Sequence, residues 1–387
     1  MKIAQVATAD ISIRYLLLDQ IQALEEMGHE VTAVCAPGPH VEAVRAQGVA
    51  VETVPMAREL TPLQDLRSRR ALVRCFRERG FDVVHTHTPK AGLLGPAAAR
   101  QARVPVVVHT VHGLLFHDRM SAWRRGLFWL PESYTARHAD FLLSQSREDM
   151  EVAVRAHICS AEKIAYVGNG IEVGRFSPEG AAAARAQLRR ELGLSDSDFV
   201  VGSVGRLVYE KGFAELFAAA AALAPAHPEI KFLIVGPRES EQRDAVPPER
   251  IRSLEQAGVV RFAGWQDHLR RWYSAMDVFA LPSHREGIPR ACMEAACMGL
   301  PVVASDIRGC REVVLHEKTG LLTPMRNAGA LAEAIARLAR DRALAAAMGE
   351  QGRRHILENF DARQMLARLR TFYQGLEPLV QRRKARK

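Results

Sequence analysis

The sequence predicts an α/β protein made of two doubly wound parallel-sheet domains. The 387 residues exceed what one hydrophobic core usually organises. Short apolar runs alternate with longer helix-forming stretches along the whole chain, the pattern of βαβ units. The alternation pauses at Gly168-Asn169-Gly170-Ile171-Glu172 and starts afresh near Phe199. Two such domains imply a cleft between them, and that cleft is the expected active site.

Residues 2–8 read as a first buried strand, followed by a helix that Gly28-His29 stops. Residues 30–35 form the second strand, closed by Pro37-Gly38-Pro39; a helix at 41–47 and a strand at 51–54 follow. The loop 56–61 leads into an arginine-rich helix. The strand 82–87 ends in histidines, 91–102 is an Ala/Gly-rich helix, and the strand 106–110 runs on into Val111-His112-Gly113. A helical stretch brackets 123–138, and strands at 140–144 and 163–167 complete the first half. In the second half, strands at 199–204, 231–235, 261–262, 277–281, 302–304 and 320–322 alternate with helices at 181–192, 213–224, 289–298, 328–340 and 343–359. A terminal helix over 361–379 is expected to pack back on the first domain. The pattern gives domain limits of 1–175 and 176–360, with a terminal helix and basic tail over 361–387.

With 48% apolar and 25% charged residues the chain falls among ordinary globular proteins. No apolar run is long enough to span a bilayer. The opening MKIAQVATAD reads as a strand and not as a signal peptide, because it lacks an apolar core region before a cleavage site. Cys35, Cys75, Cys159, Cys292, Cys297 and Cys310 make no CxxC pair and have no His at metal spacing, which suits reduced thiols in a cytoplasmic protein.

The net charge of +9 is concentrated in two places. Arg67, Arg69, Arg70, Arg74, Arg77 and Arg79 crowd one helix; Arg382, Arg383, Lys384, Arg386 and Lys387 form the tail. Such clusters favour an anionic partner. No zinc-finger pattern or RNP-like aromatic run accompanies them, so an anionic membrane surface is expected and a nucleic acid is not.

The chemistry concentrates between Leu281 and Val314. Leu281-Pro282-Ser283 closes a strand, and His284-Arg285-Glu286-Gly287-Ile288 forms the loop after it. Pro289 suits the first position of a helix, which Gly299 ends. In open parallel sheets, ligands gather outside the carboxyl ends of strands, where helix N-termini meet anions. Glu286 lies at such a point, and Glu294 one to two turns into the helix is suited to accept hydrogen bonds from hydroxyls. In a second such loop, Arg206 and Lys211 place a guanidinium and an ammonium beside a helix start, which suits a diphosphate. Taken alone, the two glutamates fit an ordinary helical unit equally well, and Arg206 and Lys211 fit solvated loop charges. Asp196-Ser197-Asp198 spells D-x-D but sits in a polar turn before a strand, where turn chemistry explains it.

GRLVYEKGF, then GW–DHLRRWYSAMDVFALPS, then REGIPRACMEA resembles the second domain of family 4 glycosyltransferases. SIRYLLLDQIQAL, VHTHTPKAGLLG, VVVHTVHGLLFH and SQSREDM extend the resemblance over the first half. It looks like the subgroup that adds sugars to lipid-linked intermediates of bacterial capsule, exopolysaccharide or O-antigen. The resemblance implies a GT-B fold, an acceptor-side first domain, a nucleotide-sugar-binding second domain, and a retaining reaction. The donor is then a nucleotide-sugar, most simply a UDP-sugar, with no separate cofactor and no metal required. The acceptor is a polyprenyl-diphosphate-linked sugar, met at the inner face of the cytoplasmic membrane.

On the same resemblance, Arg206 and Lys211 bind the donor diphosphate and neutralise the leaving group, and Glu294 holds the ribose hydroxyls. Glu286, with the backbone of Gly287, Ile288 and Pro289, contacts the donor sugar or its phosphate. His112 matches the family's histidine near the reacting sugar, Gly113 allows close approach, and His109 points elsewhere or into the core. His85 and His87 are placed on opposite faces of their strand, with His87, Thr88, Pro89 and Lys90 facing the acceptor. Asp10, Ser12 and Arg14 stand where the family has glycines, so no backbone–phosphate contact is carried over to that loop. The mechanism implied is same-face substitution through an oxocarbenium-like transition state, with leaving-group stabilisation by charge. Glu286 and Glu294 are not a glycosidase pair.

Three readings compete: a sugar-nucleotide 2-epimerase of the same architecture, which needs no acceptor; a transferase to a soluble small acceptor; and a non-enzymatic binder of anionic surfaces. The motif set favours the transferase to a lipid-linked or polysaccharide-precursor acceptor.

Overall fold

The computed structural model of the chain describes residues 1–57, 59, 61–116, 120–238 and 244–386. Lys387 of the basic tail and His117 of the first-half motif lie outside the described residues. The chain divides into two compact units, residues 1–168 with 365–387, and residues 169–364. The sequence pattern put these divisions at 175/176 and 360/361. They fall elsewhere because Ile171 bridges to Asp361: Ile171 N donates to Phe360 O and Ala362 N to Ile171 O, both at 2.9 Å. A side chain at Gly170 would run into the backbone of Ala362, so glycine is needed for these two crossings to touch.

The first unit is a seven-stranded parallel sheet of β1 (Lys2–Val6), β2 (Glu30–Cys35), β3 (Ala50–Thr53), β4 (Val83–Thr86), β5 (Val106–Val111), β6 (Phe141–Ser144) and β7 (Ile164–Tyr166). The spatial order is β3-β2-β1-β4-β5-β6-β7. The topology therefore reverses between β1 and β4.

Period-two alternation sorts the side chains to two faces. Ala4, Val6, Val84, Val107 and Val111 pack beneath helices Pro62–Arg79, Pro89–Gln101, Ala122–His138 and Arg147–Arg155. Ile3, Ala7, Val83, Val106 and Val108 face the other layer, built from helices Leu18–Glu25 and Val41–Arg45 and the terminal helix Ala362–Lys384. Met365, Leu369, Tyr373, Leu376 and Val380 of that terminal helix, at spacings of three and four, are all buried there. The C-terminal helix thus belongs to the first unit's core.

The second unit holds β8 (Phe199–Val204), β9 (Ile230–Val235), β10 (Val260–Phe262), β11 (Val278–Leu281), β12 (Val302–Ser305) and β13 (Gly320–Thr323). All pairings are parallel, in the order β10-β9-β8-β11-β12-β13. Renumbered within the unit this is 3-2-1-4-5-6, with its switch point between β8 and β11.

Helices Arg147–Arg155, Pro248–Gln256, Leu269–Ser274 and Cys310–Val313 are present beyond those the pattern predicts. Among the described residues, no helix is long and apolar enough to cross a membrane.

Candidate active site

Two clusters of candidate side chains form, one at the switch point of each unit. In the second unit the loops after β8 and β11 are held together by glycine. Gly212, at φ +77°, packs so closely on Pro282 that a Cβ would fall on its carbonyl oxygen. Gly309, at φ +73°, does the same to the carbonyl of Gly287, which adds the loop after β12. Left-handed backbone and close approach both require glycine at these points.

Lys211 and Glu286, predicted separately, meet across this switch point: Lys211 Nζ lies 2.7 Å from Glu286 Oε1. The buried Ser283 hydroxyl donates to the same oxygen at 2.7 Å, which fixes the carboxylate. Two outer contacts brace the loop pair, Arg285 Nε to Glu210 Oε1 at 2.9 Å and His284 Nε2 to Glu215 Oε1 at 3.0 Å. Arg206 is half-buried on the loop after β8.

Ile288 and Pro289 are buried beneath the loop. Pro289 is the N-cap and Arg290 opens the helix Arg290–Cys297, so the helix starts one residue later than predicted. Its first amides lack intrahelical acceptors and supply positive potential beside Glu286 and Lys211.

Glu294 points into the protein on that helix. Its Oε2 accepts from the buried Tyr273 hydroxyl at 2.9 Å, and Oε1 stands 3.8 Å from Arg290 Nε. Burial pushes its carboxyl above the usual range, with Arg290 and the Tyr273 hydrogen bond opposing that rise. Asp196 to Asp198 form a turn, with Ser195 N donating to Asp198 Oδ2 at 2.7 Å. Among the described residues no group of three or more His, Cys, Asp or Glu side chains gathers in metal-binding geometry.

In the first unit, Gln5, His85, His87, Thr110 and His112 stand on β1, β4, β5 and their ends, all on the face covered by the terminal helix. His85 and His87 do not straddle the strand: residues two apart share a face, and their rings lie 4.2 Å apart. His87 Nδ1 is 3.0 Å from His112 Nε2, and His87 Nε2 is 2.6 Å from Gln5 Oε1. Gln5 Nε2 donates to the Tyr373 hydroxyl at 3.1 Å. His85 Nδ1 lies 2.8 Å from that hydroxyl, and its Nε2 2.7 Å from Thr110 Oγ1. His109 occupies the opposite face, buried and bonded to Thr86 Oγ1 at 2.9 Å, as expected.

Burial, reinforced by neighbouring imidazoles, holds His85 and His87 well below the usual histidine range and His109 at about 3. Half-buried His112 is brought to about 4 by desolvation, against an opposing hydrogen bond with Gln145. All four are neutral at physiological pH.

Lys90 does not face an open site. Its ammonium is buried and bonded to both carboxylate oxygens of Asp65 at 2.7 Å. Thr88 sits at φ 62°, ψ 147°, an outlying conformation for a β-branched residue. Its hydroxyl holds Thr8 N at 3.1 Å and the Thr8 hydroxyl at 2.8 Å, which ties the ends of β1 and β4 together. The buried Asp10 carboxylate accepts from Ile11 N at 2.8 Å and His40 N at 2.6 Å.

Sequence reasoning missed Gln5, Tyr373, Tyr273 and Ser283. The one local signal was a glutamine in the middle of an apolar strand, where an inward polar side chain requires a partner.

Two family models match the chain, Glycosyl transferase 4-like domain over residues 13–170 and Glycosyl transferases group 1 over residues 184–355. Together they cover most of its length. The chain is 28% identical over 379 residues to the Escherichia coli UDP-Gal:alpha-D-GlcNAc-diphosphoundecaprenol alpha-1,3-galactosyltransferase, covering 96% of each. It is 25% identical to the Staphylococcus aureus capsular polysaccharide biosynthesis glycosyltransferase CapM, again over 96% of each chain. Among solved structures, sucrose-phosphate synthase from Thermosynechococcus elongatus superposes with a TM-score of 0.81 at 25% identity, covering 97% of this chain and 99% of that one. Anabaena HepE in complex with UDP-glucose gives 0.79 at 21%, covering 97% and 100%. With two parallel Rossmann-like sheets and both family models matched, the chain belongs to the GT-B glycosyltransferases of the family 4 type.

Proposed function

We propose that this glycosyltransferase moves a sugar from a UDP-sugar to a polyprenyl-diphosphate-linked acceptor in cell-surface glycan synthesis, with retention of anomeric configuration. The observation that carries this reading is the Lys211–Glu286 pair between the loops after β8 and β11, with Arg206 on the same loop as Lys211. The activities named for the Escherichia coli and Staphylococcus aureus relatives support the donor, the lipid-linked acceptor and the capsular setting.

In this reading residues 169–364 bind the nucleotide-sugar and the first unit serves the acceptor. Arg206, Lys211 and the helix start at Arg290 neutralise the diphosphate as the bond from the sugar's anomeric carbon to phosphate breaks. The new bond forms from the acceptor oxygen on the same face, and the acceptor's proton leaves on the departing phosphate. Glu294 holds the ribose hydroxyls. Glu286 with Gly287, Ile288 and Pro289 contacts the donor sugar or its phosphate, and His112 contacts the reacting sugar. Because His112 is neutral, its role is hydrogen bonding and not charge.

The membrane contact is best supported on the helix Ala122–His138. Trp123, Leu127 and Leu130, at i, i+4 and i+7, share one face and are 65%, 58% and 59% exposed. Arg124 stands over the Trp123 ring at 5.3 Å, and Leu63, in the first turn of the arginine-rich helix, is 81% exposed. Apolar residues with arginines around them suit an anionic bilayer surface. The tail supports it less, since Arg383 pairs with Asp140 at 2.9 Å and Lys384 with Asp82 at 2.7 Å. This reading puts the enzyme peripherally at the inner face of the cytoplasmic membrane.

The test is transfer from a panel of UDP-sugars to a polyprenyl-diphosphate-linked sugar, with the product's anomeric configuration read by NMR. Wild type is expected to give a retained product, and Lys211→Ala to lose about 100-fold in kcat/KM, roughly 2.7 kcal/mol. An inverted product would overturn retention. An altered sugar-nucleotide formed without acceptor would make the protein an epimerase.

A further inference from the structure

Glu294 is held differently from Asp82 and Asp361, two other buried acids. Asp82 takes Lys2 N–H at 2.9 Å and pairs with Lys384 at 2.7 Å. Asp361 takes Arg363 N–H at 2.9 Å and the guanidinium of the same residue. The Glu294 carboxylate has one hydrogen bond among the described residues, from the uncharged Tyr273 hydroxyl to Oε2. Oε1 has none, since Arg290 Nε stands 3.8 Å away, beyond hydrogen-bond range. The side chain is only 9% exposed. A nearly enclosed carboxylate with one oxygen lacking a donor suits a ligand hydroxyl, which supplies that donor.

The group on Oε2 is fixed by packing. Tyr273, on the helix Leu269–Ser274, is fully buried, its ring in T-shaped contact with Phe176 at 6.0 Å and Phe279 at 5.8 Å. Its hydroxyl has one proton and two acceptors in reach, Glu294 Oε2 at 2.9 Å and Ala291 O at 3.5 Å, and the nearer oxygen takes it. Glu294 also has a competing partner. Arg290 lies four residues earlier on the same helix, and Arg175 adds attraction from the turn Val173–Phe176. A carboxylate free to rotate closes the gap to Arg290 and spends Oε1 on that pair.

We propose that Tyr273 is a positioning residue for the donor: its hydroxyl holds Oε2 of Glu294, so that Oε1 stays off Arg290 and meets the ribose hydroxyls. The proposal rests on the ribose role given to Glu294 above. It explains why a tyrosine stands beside Phe176 and Phe279, where phenylalanine would bury the same ring with no hydroxyl to satisfy. The same bond opposes the rise that burial imposes on the carboxyl, and so favours the ionised form, which accepts on both oxygens.

The experiment is calorimetric binding of UDP and of 2′,3′-dideoxy-UDP to the full-length protein, as wild type, Tyr273→Phe, Glu294→Asp, Glu294→Ala and the Tyr273→Phe/Glu294→Ala pair. Wild type is expected to prefer UDP by about tenfold or more. Tyr273→Phe is expected to lose about fivefold in UDP affinity and nothing in dideoxy-UDP affinity. In the Glu294→Ala background the same change is expected to cost neither ligand anything further, because the hydroxyl acts through the carboxylate. Melting curves identify a variant that fails to fold. Glu294→Asp, which leaves Tyr273 in place but cannot reach both the phenol and the ribose, is expected to lose the preference as well. A folded Tyr273→Phe with the wild-type preference, or one that weakens both ligands equally, would overturn the proposal and leave the role of Glu294 standing. Full preference in Glu294→Asp would overturn it without recourse to Tyr273→Phe. A wild type without preference, or a Glu294→Ala that keeps it, would overturn the ribose role of Glu294 and the proposal together.

Discussion

At the residue scale, the loops that carry Lys211 and Glu286 were legible because their signals are local. Lys211 and Glu286 each lie in a short strand–loop–helix segment, and the structure adds that the two loops meet across the β8/β11 switch point. Glu294 carries a pH consequence of its own. Its carboxyl is buried and raised above the ordinary range, so the ionised form is disfavoured in the folded state. A raised carboxyl contributes stability while protonated and loses it as pH rises through the folded value. Glu294→Gln keeps an oxygen for the Tyr273 hydroxyl and removes the charge. It is therefore expected to melt at the same or a higher temperature than wild type at pH 8, the difference narrowing toward the ordinary carboxylate range, while UDP binding by calorimetry weakens. A variant that melts well below wild type with UDP affinity intact would make Glu294 structural. Gln5 and Tyr373 were not legible, because their partnership joins opposite ends of the chain and no local pattern records it.

Elements follow their local patterns where the pattern is apolar and fail where it is polar. The thirteen strands among the described residues lie within or beside predicted apolar runs, because a central parallel strand must be buried on both faces. The helix Arg147–Arg155 was overlooked although Ser146 caps it, its hydroxyl accepting from Asp149 N at 2.9 Å. Placing His85 and His87 on opposite faces failed against the two-residue period itself. Their common face carries a pH consequence. His85, His87 and His109 are enclosed and depressed, so the folded protein resists protons that the unfolded chain accepts near 6.5. The stability they contribute is present above about pH 6.5 and is lost as pH falls, by up to about 1.4 kcal/mol per pH unit for each imidazole. Melting temperature is expected to drop steeply from pH 7 to 5, and less steeply in His109→Gln. A flat profile over that interval would mean that the rings are solvated.

At the scale of the whole molecule, length and the restarted alternation were enough to foresee two parallel-sheet units. The division at 168/169 was not foreseeable, because it depends on Ile171 pairing with Asp361 far along the chain. The charge reading changed most. Its basic tail is partly consumed by Asp82 and Asp140, whereas the exposed apolar face of Ala122–His138 has no sequence signature separate from a buried helix. Replacing Trp123, Leu127 and Leu130 with serine removes side chains worth about 1.5–3 kcal/mol each when fully buried. Co-sedimentation with anionic phosphatidylglycerol vesicles is expected to fall at least tenfold in the triple variant, and less on deletion of residues 381–387. Equal sedimentation of triple variant and wild type would remove this helix from the membrane contact.

The most direct test of the donor site is a thermal-shift panel of UDP, GDP, ADP and CMP on wild type and Lys211→Ala. The account predicts stabilisation of wild type by UDP above the other nucleotides, and its loss in Lys211→Ala without a fall in the ligand-free melting temperature. Equal stabilisation of both proteins by UDP would contradict the assignment of the diphosphate to the β8/β11 switch point.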